Sequence, residues 1–169
     1  MNPPSHHKEI SKYLKEKIEG DSKVFVYRDN NDSNPIPVGE FGSGKSRFYS
    51  TIGMCDLGLN LPAGDYEFAA CGKLDWLPNS LASSIYWLKE RAISEWPMYC
   101  EDVVKHNAKS TYRHMAYIPS THSLEVSSGQ NIQWLLGVPI TDKELDLPAV
   151  ELITKAKACY PGWLFNESA

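Results

Sequence analysis

Apolar residues recur every three to four positions in three segments of the chain, which is the pattern of an amphipathic helix. The first segment begins at Ser5, a residue type that caps helices, and ends at Gly20. Its apolar stripe consists of Ile10, Tyr13, Leu14 and Ile18. The second segment begins near Pro78, and Pro97 stops it. Its stripe consists of Leu81, Ile85, Leu88, Ala92 and Trp96.

The third helical segment lies near the C-terminal end of the sequence. Thr141-Asp142-Lys143-Glu144 spells a capping box, which predicts the start of a short helix. Pro148 suits the first turn of a further helix, and Tyr160-Pro161-Gly162 breaks it. The apolar positions of that helix are Val150, Leu152, Ile153 and Ala156.

Segments rich in β-branched and aromatic residues predict strands. Four of them precede the second helix: Lys23 to Arg28, Ile36 to Phe41, Arg47 to Met54 and Asp65 to Cys71. Two more follow it: His114 to Ile118 and Ile132 to Val138. Strands grouped in this way favour an antiparallel or mixed sheet over a regular βαβ winding. We therefore predict an α+β fold, with a mixed, largely antiparallel sheet packed with helices as a single pair of layers around one core.

Length and composition indicate one globular domain over residues 1–169. The sequence has 169 residues, of which 42% are hydrophobic and 22% charged, and both fractions are ordinary for a globular protein. The 17 basic and 21 acidic residues give a formal charge of -4, which argues against direct binding of nucleic acid. A basic protein partner suits this charge better.

The cysteines and histidines do not show the spacing of a metal site. The cysteines Cys55, Cys71, Cys100 and Cys159 include no C-x-x-C pair. The histidines His6, His7, His106, His114 and His122 include no H-E-x-x-H pair. We expect no metal and no cofactor.

The hydrophobic pattern of the sequence also shows no targeting signal and no membrane segment. Met1 to Ile10 is polar and helical, where a secreted protein carries an apolar segment. No apolar run approaches the roughly 18 residues of a membrane helix. We expect a soluble cytoplasmic protein with free thiols.

Gly39-Glu40-Phe41-Gly42-Ser43-Gly44-Lys45-Ser46 satisfies the phosphate-loop spelling G-x-x-x-x-G-K-[ST]. A phosphate loop leaves a buried strand and enters a helix, whose N-terminus supports the phosphate charge. Here the flanking residues 35–38 are broken by prolines, and Arg47 to Met54 favours extended chain. The pattern favours a hairpin in which Gly42-Ser43-Gly44 turns the chain, although a nucleotide-binding protein remains a less favoured alternative.

Two acidic clusters are candidates for contact with a basic partner. Their residues are Glu101, Asp102, Asp142, Glu144 and Asp146. Solvated carboxylates at helix starts explain the same pattern, because they interact favourably with the helix dipole. No G-x-S-x-G elbow and no locally marked nucleophilic cysteine is present, so we predict no catalytic residue.

The segment Arg47-Phe48-Tyr49-Ser50-Thr51-Ile52-Gly53-Met54-Cys55-Asp56 resembles the signature of the Suppressor-of-fused (SUFU)-like domain family, an F-x-S-T-I-G-[ML]-S-D type of strand and turn. Cys55 stands where a serine is usual. Asp65-Tyr66-Glu67-Phe68 resembles the following strand of the family, and the stretch from Gln133 to Thr141 with Glu144 resembles its late strand-to-helix segment.

This resemblance implies a binding protein and not an enzyme. The animal member of the family holds a transcription factor in an inactive complex, and small bacterial members resemble immunity proteins. The leading hypothesis is therefore an immunity protein or antitoxin that binds a cognate protein toxin, such as a nuclease, and occludes it stoichiometrically. An adaptor that sequesters a regulatory protein is the alternative. The resemblance transfers no binding residue, and the oligomeric state stays open.

Overall fold

The computed structural model describes residues 3–28, 35–43, 47–104 and 110–165. Three helices lie in these residues: α1 at Ser5–Lys17, α2 at Leu77–Leu88 and α3 at Ala149–Cys159. Short 3-10 turns occur at Met54–Asp56, Asp142–Glu144 and Gly162–Phe165. The predicted capping box is present, with Thr141 before the turn at Asp142–Glu144.

Seven strands of the described residues form one sheet. They are β1 at Ser22–Tyr27, β2 at Ile36–Phe41, β3 at Phe48–Thr51, β4 at Asp65–Cys71, β5 at Met98–Cys100, β6 at His114–Glu125 and β7 at Asn131–Ile140. Their order across the sheet is β1-β2-β3-β4-β7-β6-β5. Only the pair of β4 with β7 is parallel among these seven strands. The predicted α+β class and the mixed, largely antiparallel sheet are confirmed.

Helices cover both faces of the sheet, and each face has its own buried cluster. The cluster on the α2 side includes Tyr49, Phe68, Leu81, Ile85, Met115, Tyr117 and Leu135. The cluster on the side of α1 and α3 includes Ile10, Leu14, Phe41, Phe48, Trp134, Leu136, Leu152 and Ala156. The expected single pair of layers around one core is wrong in this detail. The central strands β4 and β7 are buried on both faces, so each needs apolar cover on both sides.

The second helix ends earlier than its apolar spacing predicts. It stops at Leu88, whereas the apolar stripe that the sequence predicts continues through Ala92 and Trp96. A long-range contact replaces the helical bonds, because the backbone N–H of Ile93 donates to the carbonyl of Asn60 at 2.8 Å. Tertiary pairing here outweighs local periodicity.

Smaller differences concern helix ends and strand lengths. Ser5 is the first residue of α1, and Pro4 occupies the cap position without a side-chain hydrogen bond. On α3, Leu152 and Ala156 are buried, but Val150 is 69% exposed and Ile153 is 39% exposed. The short strand β5 was not predicted, since its three residues are too few to show a period.

Candidate functional site

The signature segment folds around one buried carboxylate. Residues 51–56 leave β3 and turn through the short 3-10 helix at Met54–Asp56. Glu67 on the neighbouring strand β4 has no exposed surface and points into this turn. Its Oε1 accepts hydrogen bonds from Thr51 Oγ1 at 2.8 Å and from the backbone N–H groups of Gly53 and Met54 at 3.1 Å. Its Oε2 accepts from the N–H of Cys55 at 3.0 Å.

Burial and hydrogen bonding act in opposite directions on this carboxyl group. The pKa of Glu67 is raised to about 7, because burial raises it by more than the hydrogen bonds from Cys55, Thr51 and Met54 lower it. Four donors and no described cation face the carboxylate. The arrangement is that of an anchor for the turn, because it pairs backbone N–H groups that the bend leaves without carbonyl partners.

The start of α1 lies on this turn. His6 Nε2 lies 2.7 Å and His7 Nε2 lies 2.6 Å from the same oxygen, Oδ2 of Asp56. Only a glycine fits where the turn contacts His7, because a Cβ on Gly53 would lie 2.5 Å from Cε1 of His7. Gly53 also has a φ of 105°, which side-chain-bearing residues rarely adopt. The helix and the signature segment are therefore in direct contact.

The electrostatics of the turn favour ionised Asp56 and a protonated thiol. Burial opposes ionisation of Asp56, but hydrogen bonds from His7 and His6 outweigh it and hold the pKa below its usual value. Burial and the nearby carboxylate of Glu67 raise the pKa of the Cys55 thiol far above its usual value. Cys55 therefore lacks the environment of a reactive nucleophile.

The phosphate-loop spelling falls in a strand connection. Gly39 lies inside β2, where it pairs with Ser50 of β3, and Phe41 pairs with Phe48. The predicted hairpin is confirmed by this antiparallel pairing. Gly44, Lys45 and Ser46 lie outside the described residues. Because a strand and not a helix begins at Phe48, the helix N-terminus of a phosphate loop does not follow the glycines.

The predicted acidic residues are partly brought together. Arg113 lies between two of them, with Nη2 at 3.1 Å from Asp102 and Nη1 at 3.5 Å from Asp142. The backbone N–H of Asp102 donates to Nδ1 of His114, so Nε2 of this imidazole carries the proton and donates to Asp142 at 2.7 Å. The hydrogen bond from His114 lowers the pKa of Asp142. We call this surface, with Glu101 and Asp146, the acidic end.

The other acidic residues differ in their surroundings. Glu144 belongs to the capping box and forms an ion pair with Lys155 at 3.2 Å. Glu101 and Asp146 are exposed, and no described cation lies within 4 Å of either. Structural contacts thus occupy Asp102, Asp142 and Glu144, and of the five predicted acidic residues only Glu101 and Asp146 have no ion pair with a described residue.

A second surface, which the sequence did not indicate, lies at the opposite edge of the sheet. The strand β1 is an edge strand, and among the described residues only β2 pairs with it. Val24 and Val26 project from it on the side of α1 and are 55% and 54% exposed. We call this surface the β1 edge.

A groove of about 400 Å³ adjoins the β1 edge, between α1 and the sheet. Its floor includes Val24, Pro37 and Ile52, and Lys8, Lys12 and Lys15 of α1 line its other side. The residues Val24-Phe25-Val26-Tyr27 are apolar on both faces of the strand. This pattern was the signal in the sequence from which an exposed apolar β1 edge could have been predicted.

No protein-family model and no curated protein matches the sequence. Among solved structures, the chain is similar to one in "the Sufu-Fu complex crystal structure", with a TM-score of 0.54. The similarity covers 84% of this chain and 76% of that chain, at 10% sequence identity. The fold is SUFU-like. In this SUFU-like fold the signature segment forms the end of β3 and the turn around Glu67. None of the described helices is long and apolar enough to cross a bilayer.

Proposed function

We propose that this chain is a protein-binding module of the small bacterial immunity type, which neutralises a cognate toxin in the cytoplasm by stoichiometric occlusion and without catalysis. The SUFU-like fold supports a protein-binding role. In the similar crystal structure, Sufu forms a complex with Fu. The signature segment resembles the SUFU-like family, whose small bacterial members resemble immunity proteins, and this resemblance supports the toxin as the partner.

The observation that carries the proposal is the unpaired β1 edge. An exposed edge strand offers unpaired N–H and C=O groups, and proteins normally protect such edges with charges, prolines or bulges. Here Lys23 is the only charge in Ser22–Tyr27, and two half-exposed valines stand beside an apolar groove. A partner that adds an extended segment to β1 would satisfy the edge and cover both valines.

The chemistry of the groove restricts the partner. Lysines from α1 line one side and apolar side chains form the floor, so the occupant is an extended segment with apolar residues alternating with acidic ones. Such a segment would place its apolar side chains on Val24 and Val26 and its carboxylates toward Lys8 and Lys12.

Co-expression with the products of neighbouring genes tests the function. We expect one of them to arrest growth when expressed alone, and this chain to restore growth and form a one-to-one complex. Restored growth without a complex, or the absence of any neighbouring product whose toxicity this chain relieves, would count against an immunity protein. A stable complex with a non-toxic regulator would support the adaptor instead.

Two substitutions test the surface. Val24→Asp with Val26→Asp places charges on the β1 edge, and we expect at least a tenfold loss of affinity, mainly through faster dissociation. Val150→Asp is the matched control, because that valine is 69% exposed on α3. Equal effects of the two changes would refute the β1 edge as the contact surface.

The acidic end is the alternative surface, favoured by the exposed carboxylates of Glu101 and Asp146. It lies near β5 and β6, at the sheet edge opposite β1, so separate variants test it. If Glu101→Lys with Asp146→Lys abolished binding and the β1 variant did not, the partner would be a basic protein bound at the acidic end.

A further inference from the structure

Nitrogen, oxygen and sulfur donors from two distant parts of the chain converge beside the Glu67 turn. His6 and His7 come from the first turn of α1, and Cys55 and Asp56 come from the signature segment. The ligand atoms of His6, Cys55 and Asp56 all lie within 4.8 Å of one another. His7 Nε2 lies 2.6 Å from Oδ2 of Asp56.

From this geometry we propose that His6, Cys55 and Asp56 bind one divalent transition-metal ion of the zinc class, with solvent as the fourth ligand. A tetrahedral zinc site with Zn–N and Zn–O bonds near 2.0–2.2 Å and Zn–S bonds near 2.3 Å places neighbouring ligand atoms about 3.3 to 3.8 Å apart. Cys55 Sγ lies 3.8 Å from Oδ1 of Asp56, within this range. The Nε2 atom of His6 lies 2.7 Å from Asp56 Oδ2, so an ion bound by both residues would separate this pair by up to about 1 Å.

The donor set selects the class of ion. An imidazole, a thiolate and a carboxylate suit zinc, cobalt and nickel, whereas magnesium and calcium prefer oxygen ligands throughout. A dication also suits the local charge, since the carboxylates of Asp56 and Glu67 lie at the turn and Asp65 lies nearby.

The surrounding structure holds the ligands in place. The N–H groups of Met54 and Cys55 donate to Glu67, and the N–H of Asp56 donates to the carbonyl of Gly53 at 3.1 Å. On the other side, Ile10 and Leu14 of α1 are fully buried and fix the helix that carries both histidines. These supports resemble the outer-shell contacts that orient ligands in metal sites.

Binding would exchange a proton for the metal. The Cys55 thiol loses its proton to solvent as the sulfur–metal bond forms, and His6 binds through an unprotonated ring nitrogen, with its proton on the other nitrogen of the ring. The ion would then join α1 to the signature segment, two segments about 50 positions apart in the sequence. This inference is independent of the proposed function.

Cobalt titration of metal-free protein tests the site directly. We expect one equivalent of Co²⁺ to produce visible bands of tetrahedral cobalt and a near-ultraviolet thiolate-to-cobalt band, and Zn²⁺ to abolish both. Cys55→Ser should remove the thiolate band, whereas Cys159→Ser, at an exposed thiol, should retain it. Absence of the thiolate band in the wild-type protein, or its persistence in Cys55→Ser, would overturn the site.

Zinc affinity tests the remaining ligands. We expect His6→Gln and Asp56→Asn each to weaken Zn²⁺ binding at least tenfold by calorimetry, and His7→Gln, which removes a contact to Asp56, to weaken it less. Urea unfolding in the presence of a chelator identifies any variant that has lost its fold, and the comparison then uses the others. Unchanged affinity in the folded ligand variants would place the metal elsewhere.

Discussion

The hydroxyl of Thr51 donates to Glu67 at 2.8 Å and accepts the backbone N–H of Phe68 at 2.8 Å. One side chain therefore joins the end of β3 to the carboxylate on β4 and to the backbone next to it. Threonine suits this position because a hydroxyl both donates and accepts. These two hydrogen bonds give a physical reason for the threonine of the signature segment, two positions before Gly53.

Replacing the buried carboxylate should strongly destabilise the fold. Glu67→Leu removes the acceptor of three backbone N–H groups and one hydroxyl, and we expect a loss of about 3 kcal/mol or more in the free energy of unfolding. Glu67→Gln keeps one acceptor oxygen and should lose less, about 1–2 kcal/mol. Urea denaturation measures both.

The matched control for this prediction is Glu125→Leu at the exposed end of β6. It should change the free energy of unfolding by less than about 0.5 kcal/mol. A similarly small effect of Glu67→Leu would show that the carboxylate does not anchor the turn.

A methyl group on Gly53 should be costly for two reasons that can be separated. The positive φ and the contact with His7 both oppose alanine at this position. At Gly58, φ is 64° and the space around a Cβ is open, so Gly58→Ala reports the backbone strain alone, about 1–2 kcal/mol. We expect Gly53→Ala to lose more than Gly58→Ala in chelator-treated protein.

A double-mutant cycle isolates the contact between Gly53 and His7. His7→Ala should recover part of the loss caused by Gly53→Ala, because it removes the atoms that the new methyl group meets. Strict additivity of the two changes would mean that backbone strain accounts for the whole effect.

Much of the sheet was predictable from local patterns. The bounds of β2 and β4 agree with the predicted Ile36 to Phe41 and Asp65 to Cys71, because apolar runs there are bordered by proline or glycine. The end of α2 was not predictable, since the bond from Ile93 to Asn60 depends on a distant loop.

The candidate sites likewise include some that local spacing predicts and some that depend on residues far apart in the sequence. The capping box at Thr141 was found because its residues are three positions apart. The cluster of His6, His7 and Asp56 was missed, because its residues are about 50 positions apart and no local spacing marks them. The ion pairs of Arg113 with Asp102 and Asp142 likewise require the strand order of the folded sheet.

The hydroxyl of Tyr160 bridges the parallel pair of strands. It lies 2.9 Å from the carbonyl of Ala69 on β4 and 2.7 Å from that of Gly137 on β7, where the pairing of these strands ends. Tyr160→Phe leaves these buried carbonyls without this donor, and we expect a loss of about 1–2 kcal/mol in the free energy of unfolding. Chemical denaturation measures this loss.

The control is Tyr112→Phe, because the hydroxyl of Tyr112 makes no hydrogen bond to the rest of the described chain. It should be nearly neutral. If both phenylalanine variants were equally stable, the bridge between β4 and β7 would contribute nothing.

The capping box before α3 should contribute stability that depends on pH. Glu144 accepts from the N–H and the hydroxyl of Thr141 at 3.0 and 3.1 Å and pairs with Lys155. Burial opposes its ionisation, but these contacts outweigh it and lower the pKa below the ordinary value of 4.5. Glu144→Ala should therefore lose about 1 kcal/mol at pH 7.

The sign of the pH effect follows from the lowered pKa. The folded state binds the proton of Glu144 less tightly than the unfolded state, so its contribution is complete above pH 4.5 and disappears as the pH falls through the folded value. Glu144→Gln keeps an acceptor oxygen but cannot ionise. We expect wild type to exceed this variant in stability at pH 7, and the difference to close toward pH 3 in urea titrations. A difference that stayed constant over this range would show that the charge of Glu144 has no part in the cap.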